Sequence, residues 1–331
     1  MHQTTPDRVT IVIPTYNRAH ILIKTLQGYA GQEGRDRILE VLVVDDGSRD
    51  DTRAVVAECD RQFGMPLRYL YQENSGLAAA RNHAIREARG ELILFGDDDI
   101  VPSRRMVAEH VEWHRSYPHP NVGVLGHVAW AKEVHPTAFM EWEGLYGPQF
   151  HFGRFEAGAE LDYSQSYFCN TSVKTSYLTK QALFNESFRA YGWEDIEFSY
   201  RLYKSGWRLR YNPNAVGYHY KHETFDQTLR RIEKLWLEAW PVFLKTEAGR
   251  HSFELWSSQR MQSCNLSKNA SGNLVDRVKA AAVPLLKPLM DWRLRLPARI
   301  YDFVWYHHCN PIMDAAFTQP KPVETRSDVK A

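Results

Sequence analysis

Nothing in this chain of 331 residues leans strongly to one sign of charge: 41 Lys and Arg stand against 40 Asp and Glu. Without a basic excess, and without a basic stretch interleaved with aromatics early in the chain, it has no electrostatic footprint for nucleic acid. Cysteine is sparse, at Cys59, Cys169, Cys264 and Cys309, and no C-x-x-C pair occurs. That excludes a disulfide framework and a zinc ribbon, and fits reduced thiols in the cytoplasm. No run of about 18 apolar residues is present, so no membrane-spanning helix is expected. The polar start, Met1 to Arg8, does not read as a signal peptide. Internal repeats are lacking as well. What is present is ordinary for a folded domain, 44% hydrophobic and 24% charged residues, which rules out disorder as a description of the whole chain. Ten Trp and seventeen Tyr exceed what a core of this size requires. Aromatic faces suit the apolar C–H faces of sugar rings, although a packed core explains aromatics equally well.

The first hundred residues repeat one pattern of apolar run, polar turn and helical stretch. Strands are expected at Val9–Ile13 (stopped by Pro14), Val41–Val44, Leu67–Tyr71 and Glu91–Phe95. Between them, Ala19–Tyr29, Asp51–Phe63 and Gly76–Ala88 have helical spacing. Strands apolar on both faces and alternating with helices imply a parallel sheet with right-handed crossovers, hence an α/β, Rossmann-like, doubly wound and mostly parallel fold. Ligands of such sheets bind beyond the carboxyl ends of the strands. Three polar segments collect there: Thr15-Tyr16-Asn17-Arg18, Asp45-Asp46-Gly47-Ser48 and Gly96-Asp97-Asp98-Asp99. From about 101 to 222 the pattern loosens into aromatic loops over Phe139–Phe155 and a strand-like Val122–Leu125. A segment at Tyr167–Val173 then leads to a helix near Thr179–Phe184, followed by a clear helix from Glu194 to Lys204. Short strands follow at Trp207–Tyr211 and Ala215–Tyr220. Beyond Glu223 the chain is expected to be mainly helical, with Leu229, Ile232, Leu235, Trp236 and Trp240 on one face of a helix over Gln227–Lys245.

Asp97-Asp98-Asp99 is the feature with most chemistry in it. Three adjacent carboxylates repel one another, and a strand end carrying them is stabilised by a cation. Mg²⁺ and Mn²⁺ take oxygen ligands and are commonly held by one or two carboxylates together with substrate phosphates. In an extended segment Asp97 and Asp99 point the same way. A solvated acidic turn is the bland alternative, and the apolar residues on either side argue against it.

The order Pro14-Thr15-Tyr16-Asn17-Arg18, Asp45-Asp46-Gly47-Ser48, Gly76-Leu77-Ala78-Ala79-Ala80-Arg81-Asn82, then Gly96 to Asp99, resembles a family 2 glycosyltransferase of the GT-A fold. Tyr191-Gly192-Trp193-Glu194-Asp195-Ile196-Glu197-Phe198 is similar to the acceptor block of the N-acetylgalactosaminyl- and chondroitin-type branch. The likeness covers about residues 9 to 222. It implies a catalytic domain over 1–222, with a nucleotide-binding half to about 100 and an acceptor half over about 101–222, and a helical extension over 223–331. It implies donor contacts from Pro14, Thr15, Tyr16, Arg18, Asp46, Gly76, Arg81, Asp97 and Asp98. It gives Asp99 and His219 to a Mn²⁺ or Mg²⁺ ion, with His222 a rival for the second place. Asp195, with Glu194 beside it, is implied as the base. Trp193 either stacks on a sugar or belongs to the core.

The activity so implied is inverting transfer of a sugar from a nucleoside diphosphate, UDP in the first place, to an acceptor hydroxyl of a glycan or lipid-linked molecule in surface-polysaccharide synthesis. A nucleotidyltransferase would share the sheet and the metal but needs a Gly-rich basic signature that Pro14-Thr15-Tyr16-Asn17 is not. A non-catalytic nucleotide-sugar-binding protein would be expected to have lost Asp99, Asp195 or the histidine. Cations scattered through 275–306 add the option of peripheral attachment at the inner face of the membrane, against ordinary helix packing on the catalytic domain.

Overall fold

The fold is described from a computed structural model, over residues 8–147, 150–181, 183–256, 282–291 and 296–318. Its centre is a nine-stranded sheet. Four strands form a parallel half in the order β3 (Leu67–Tyr71), β2 (Ile38–Asp45), β1 (Val9–Thr15) and β4 (Leu92–Gly96). Every residue of β1 is buried, because helices cover both faces of the sheet. Alternation along β1 sorts the core: Ile11 and Ile13 join Leu22, Leu26 and Val56 of helices α1 (Ala19–Ala30) and α2 (Thr52–Phe63). Val12 faces the other way, toward Ala80, Ala84 and Ile85 of α3 (Leu77–Glu87).

The expected strands and helices of this half are all present. The strand does not stop at Pro14, however: β1 runs on to Thr15. Pairing with β4 has already ended at Val12, so a missing N–H forfeits no ladder bond on that side.

The second half of the sheet is mixed. β8 (Asn170–Lys174) is antiparallel to β4 and to β6 (Val122–Trp130); β6 is parallel to β9 (Arg208–His219). β5 (Ile100–Pro102) and the short β7 (Glu160–Leu161) both pair antiparallel to β9. Two short strands were expected where β9 is one. Between Asn212, opposite Gly126, and Val216, opposite His127, three extra residues bulge out. Asn170 caps the bulge, donating to the carbonyls of His127 and Ala215 at 3.0 and 2.8 Å. Asn-Pro-Asn reads locally as a break, and only the long-range partner keeps the strand continuous.

α4 (Met106–Ser116) follows β5. The aromatic loops contain α5 (Ala138–Leu145). The helix expected near Thr179–Phe184 lies earlier, as the single turn α6 (Thr175–Leu178); Ala182 is outside the described residues. α7 spans Glu194–Lys204, as its charge pattern requires. Past it, α8 (Phe225–Lys234), a π-helical turn over Leu235–Ala239 and α9 (Trp240–Leu244) run on without interruption, followed by helical segments over 247–256 and 282–286 and by Ala298–Thr318. The division expected at 222 falls between β9 and α8, but packing crosses it. Phe139, Trp142 and Tyr200 share one core with Phe225, Trp236, Trp240 and Trp305. Of the stretch from 275 to 306, residues 275–281 and 292–295 lie outside the described residues. Where it is described, Val283 is buried, and Met290, Tyr301, Val304 and Trp305 are buried in that core. Among the described residues no helix is long and apolar enough to cross a membrane. Cys59, Cys169 and Cys309 are free and buried, and Cys264 lies outside the described residues.

Behind the sheet, Lys174 of β8 is buried on neutral partners. It donates to His114 Nδ1 at 3.0 Å and to the Tyr117 carbonyl at 2.9 Å. Burial lowers its pKa from 10.5 to about 8. A lysine whose folded pKa is depressed binds its proton better when unfolded, so stability is gained as pH rises from about 8 to about 10.5 and lost as it falls back. We expect Lys174→Met to remove that slope, flattening the difference in urea-unfolding free energy by roughly 3 kcal/mol across the window; parallel pH profiles for the two proteins would refute it.

Candidate active site

The crevice at the carboxyl ends of β1, β2 and β4 brings together segments far apart in sequence. After β1, Thr15 donates to Asp98 Oδ2 at 2.8 Å, and Arg18 reaches Asp98 Oδ1 with Nε at 3.1 Å and Asp99 Oδ2 with Nη2 at 2.5 Å. Thr25 of α1 holds the Asp98 carbonyl at 2.7 Å. Tyr16 is exposed beside them. Asn17 adopts a left-handed backbone, φ 54°, and joins the first loop to the second: it donates from its N–H to Ser48 Oγ and accepts from the Arg49 N–H.

The third carboxylate, Asp97, turns to the other side of the crevice. Its Oδ1 lies 3.5 Å from Arg81 Nη2. Arg81 is 2% exposed and also reaches Asp195 Oδ1 at 2.5 Å and Glu194 Oε1 at 3.3 Å, while Nη2 donates to the Phe168 carbonyl at 3.2 Å. The run Ala78-Ala79-Ala80 lets α3 pack tightly and carries this arginine inward. Glu194 and Asp195 are presented at the start of α7 by an unusual turn. Gly192 has φ 106° and Trp193 has φ 68°, a conformation costly for a residue with a Cβ. A Cβ on Gly192 would meet Leu235 at 2.7 Å. Glu194 accepts from the Gly192 N–H at 3.0 Å and is 5% exposed; Asp195, 24% exposed, accepts from the Phe168 N–H at 3.2 Å and opens to the crevice.

His219 arrives by strand pairing. β5 follows the carboxylates directly, and its register puts Ile100 opposite His219. Tyr220 donates its N–H to the Asp99 carbonyl at 2.8 Å, and His219 Nε2 lies 3.2 Å from Asp99 Oδ2. Trp130 stacks on the imidazole at 5.0 Å and 9°. His222, the rival in sequence, is exposed and outside this pairing.

Electrostatically the three aspartates differ. Burial pushes Asp97 up to about 6, with Arg81 opposing, and pushes Asp98 up to about 7, with Arg18 and Thr15 opposing. Burial acts on Asp99 too, but His219 and Arg18 outweigh it and hold that carboxylate well below the usual range. Burial and the neighbouring Asp195 raise Glu194 to about 8 against the pull of Arg81. Asp99 and His219 therefore offer one anionic oxygen and one imidazole nitrogen to a shared point. Trp130 stacks on the ring and Asp99 meets Nε2, while His219 Nδ1 is buried with no hydrogen-bond partner among the described residues. Among the described residues no three His, Cys, Asp or Glu side chains form a ready-made cage. The donor set fits Mg²⁺ or Mn²⁺ only as a partial shell, completed by oxygens from elsewhere.

Four expectations meet a different geometry. Arg81, expected to hold the nucleotide, has its guanidinium committed to three carboxylates inside the protein. Asp46, expected at the base, accepts from Gln72, the Ser75 N–H and the Gly76 N–H, so its oxygens hold the loop whose Gly76, at φ 91°, begins α3. Trp193 packs its ring against Trp236, Trp240, Phe243 and Trp256, the core alternative of the two. Pro14 lies within β1, a structural position. Reading the sequence missed Trp130 on His219, the Phe168 backbone that grips Arg81 and Asp195, and Cys169, buried beside Asp97 and Asp195 with its thiol pushed well up by burial. None carries a local signal, since each acts on residues distant in the sequence, Phe168 on Asp195 across 27 positions, for example.

Residues 10–166, a little under half of the chain, match the model of glycosyl transferase family 2. Validoxylamine A glucosyltransferase of Streptomyces hygroscopicus subsp. jinggangensis is 29% identical over 297 residues, 76% of this chain and 68% of its own length. The curated relatives vary in size, and the chain spans from 24% to 68% of the length of the first five it matches. Two solved structures share the fold. The mannosyltransferase PcManGT of Pyrobaculum calidifontis, in complex with GDP-Man and Mn²⁺, has a TM-score of 0.57 at 21% identity, covering 92% of this chain and 88% of that one. S. aureus TarS 1-349 in complex with UDP-GlcNAc has a TM-score of 0.55 at 19% identity, covering 93% and 91%.

Removing the cation from this cluster leaves buried like charges uncompensated. Arg81→Met is expected to cost about 3–5 kcal/mol, read by urea unfolding at pH 7.5. A change below 1 kcal/mol would mean that the three carboxylates do not depend on it.

Proposed function

We propose that this chain is a family 2 glycosyltransferase, that it transfers a sugar from a nucleoside-diphosphate sugar to an acceptor hydroxyl with inversion, and that Asp195 is its base. One observation carries the reading: carboxylates from 97–99 and 194–195, a hundred residues apart, converge on the crevice where a parallel sheet binds ligands. Exposed Tyr16 offers a face for the nucleotide base, with Thr15, Asp46 and Gly76 forming the wall around it. Arg18, Asp97 and Asp98 line the path of the ribose and diphosphate. UDP is the donor we favour, a neighbour of the same fold being solved with UDP-GlcNAc, although another holds GDP-Man.

Asp99 and His219 would hold a divalent metal. When bound, such an ion neutralises charge on a diphosphate without needing a proton. The protein's own part is the other end of the reaction. Asp195 is open to the crevice and is held by Arg81 and the Phe168 N–H, so its carboxylate faces the acceptor rather than turning into the core. It takes the hydroxyl proton as the acceptor oxygen bonds to the anomeric carbon and the bond from that carbon to the phosphate oxygen breaks. Attack from the face opposite the leaving group inverts the centre. Glu194, buried and raised to about 8, anchors the turn rather than accepting the proton. The acceptor would be a glycan or a lipid-linked chain, and a lipid-linked one would bring the enzyme to the inner face of the membrane.

The test is a donor panel of UDP-, GDP- and dTDP-sugars with Mn²⁺, Mg²⁺ or EDTA, scored by release of nucleoside diphosphate. Turnover that survives EDTA would overturn the metal role, and release of pyrophosphate would indicate nucleotidyl transfer instead. Asp195→Asn should lower kcat by about 10²–10⁴-fold with little change in donor affinity. Asp99→Ala should weaken metal and donor together. A product with retained anomeric configuration by NMR would rule out the direct displacement.

A further inference from the structure

Asp98 and Asp99 are almost fully buried, yet their charges are met by an arginine that is not. The Arg18 side chain is 38% exposed, and its guanidinium spans both carboxylates, with Nε on Asp98 Oδ1 and Nη2 on Asp99 Oδ2. That Asp99 Oδ2 is also the oxygen 3.2 Å from His219 Nε2. Arg18 therefore stands where a divalent cation shared by Asp99 and His219 would bind, and two cations cannot use that oxygen at contact distance without strong repulsion. The residue lies between β1 and α1, at the N-cap position, where its side chain makes no capping bond. Its departure would break no helix cap and open no core.

We propose that Arg18 is a specificity-determining residue that makes the site accept metal and diphosphate as one unit and reject the bare metal ion. A free Mn²⁺ ion must push the guanidinium off Asp99, leaving it only its contact with Asp98 and setting it next to added positive charge. A metal–nucleotide complex brings phosphate oxygens, and a guanidinium binds these as well as it binds carboxylates, in the same forked geometry. The displaced arginine then has a partner, and one exchange both frees Asp99 and clamps the donor. This rests on the metal reading given above, with Asp99 and His219 as ligands.

The experiment measures binding rather than turnover. Mn²⁺ binding to the purified full chain is followed by the EPR signal of free Mn²⁺, with no nucleotide and then with UDP, for the parent and for Arg18→Gln. The variant is expected to bind Mn²⁺ alone at least tenfold more tightly, a change of about 1.4 kcal/mol, while the further gain on adding UDP shrinks. Arg18→Lys, which keeps the charge but cannot bridge both carboxylates, should shift the same way by less, and it carries the test if the glutamine variant does not fold. If a folded variant binds bare Mn²⁺ no more tightly than the parent, the inference is overturned. Asp99→Asn separates the two readings. Loss of Mn²⁺ binding there, without a gain in Arg18→Gln, rejects only the role of Arg18, whereas retained binding in Asp99→Asn rejects the metal site and the inference with it.

Discussion

One buried guanidinium organises the catalytic side of this molecule. Arg81 enters from a helix that follows β3, meets Asp97 from the end of β4, and meets Glu194 and Asp195 from the start of α7. An arginine with almost no exposure needs its charge answered from within. Here Asp97, the Phe168 carbonyl and the Glu194–Asp195 pair, which share no local structure, meet Nη1 and Nη2, while Nε has no hydrogen-bond partner among the described residues. The dependence runs both ways. Asp97 and Asp195 would repel each other across the crevice, and Glu194 would be a bare charge under the α7 turn. The arrangement holds the end of β4 and the start of α7 at a fixed spacing across the crevice, which the displacement proposed above would need.

On the opposite side of the crevice the constraint is a backbone register rather than an ion pair. The three residues of β5 pair with the end of β9, and so the carboxylate run and the histidine 120 positions later are side by side. The bulge at 213–215 is part of the same device, since it lets β9 stay paired to β6 through Trp130, whose ring then covers the imidazole. The Asp99–His219 side is thus set by strand geometry and the Asp97–Asp195 side by charge.

How much of this could be read beforehand follows from the range of each interaction. The parallel half of the sheet was legible because its strands are short apolar runs closed by polar turns, and every strand end that was singled out does face the crevice. The run 97–99, Glu194-Asp195 and His219 could be named because each has a local signature. What each would touch could not. Arg81 and Asp46 belong to recognisable motifs, yet a motif does not say whether a charge faces a ligand or another part of the protein. In both cases the fold satisfies the charge internally. Trp130, Phe168 and Cys169 had no signature at all, and the break suggested at Asn212-Pro213-Asn214 was undone by Asn170, a residue more than forty positions away. The helix misplaced to 179–184 failed for a related reason. Antiparallel β8 extends to Lys174, and the chain has room for only one turn after it.

The turn that presents Glu194 and Asp195 ends on Trp193, and that ring is held among Trp236, Trp240, Phe243 and Trp256, all from the helices past 222. A left-handed tryptophan is tolerated only where packing compensates the backbone. The C-terminal helices are therefore the outer wall of a spring-loaded corner, and the corner aims Glu194 and Asp195. A chain cut at 222 would keep those carboxylates while losing the packing that fixes the direction in which they point.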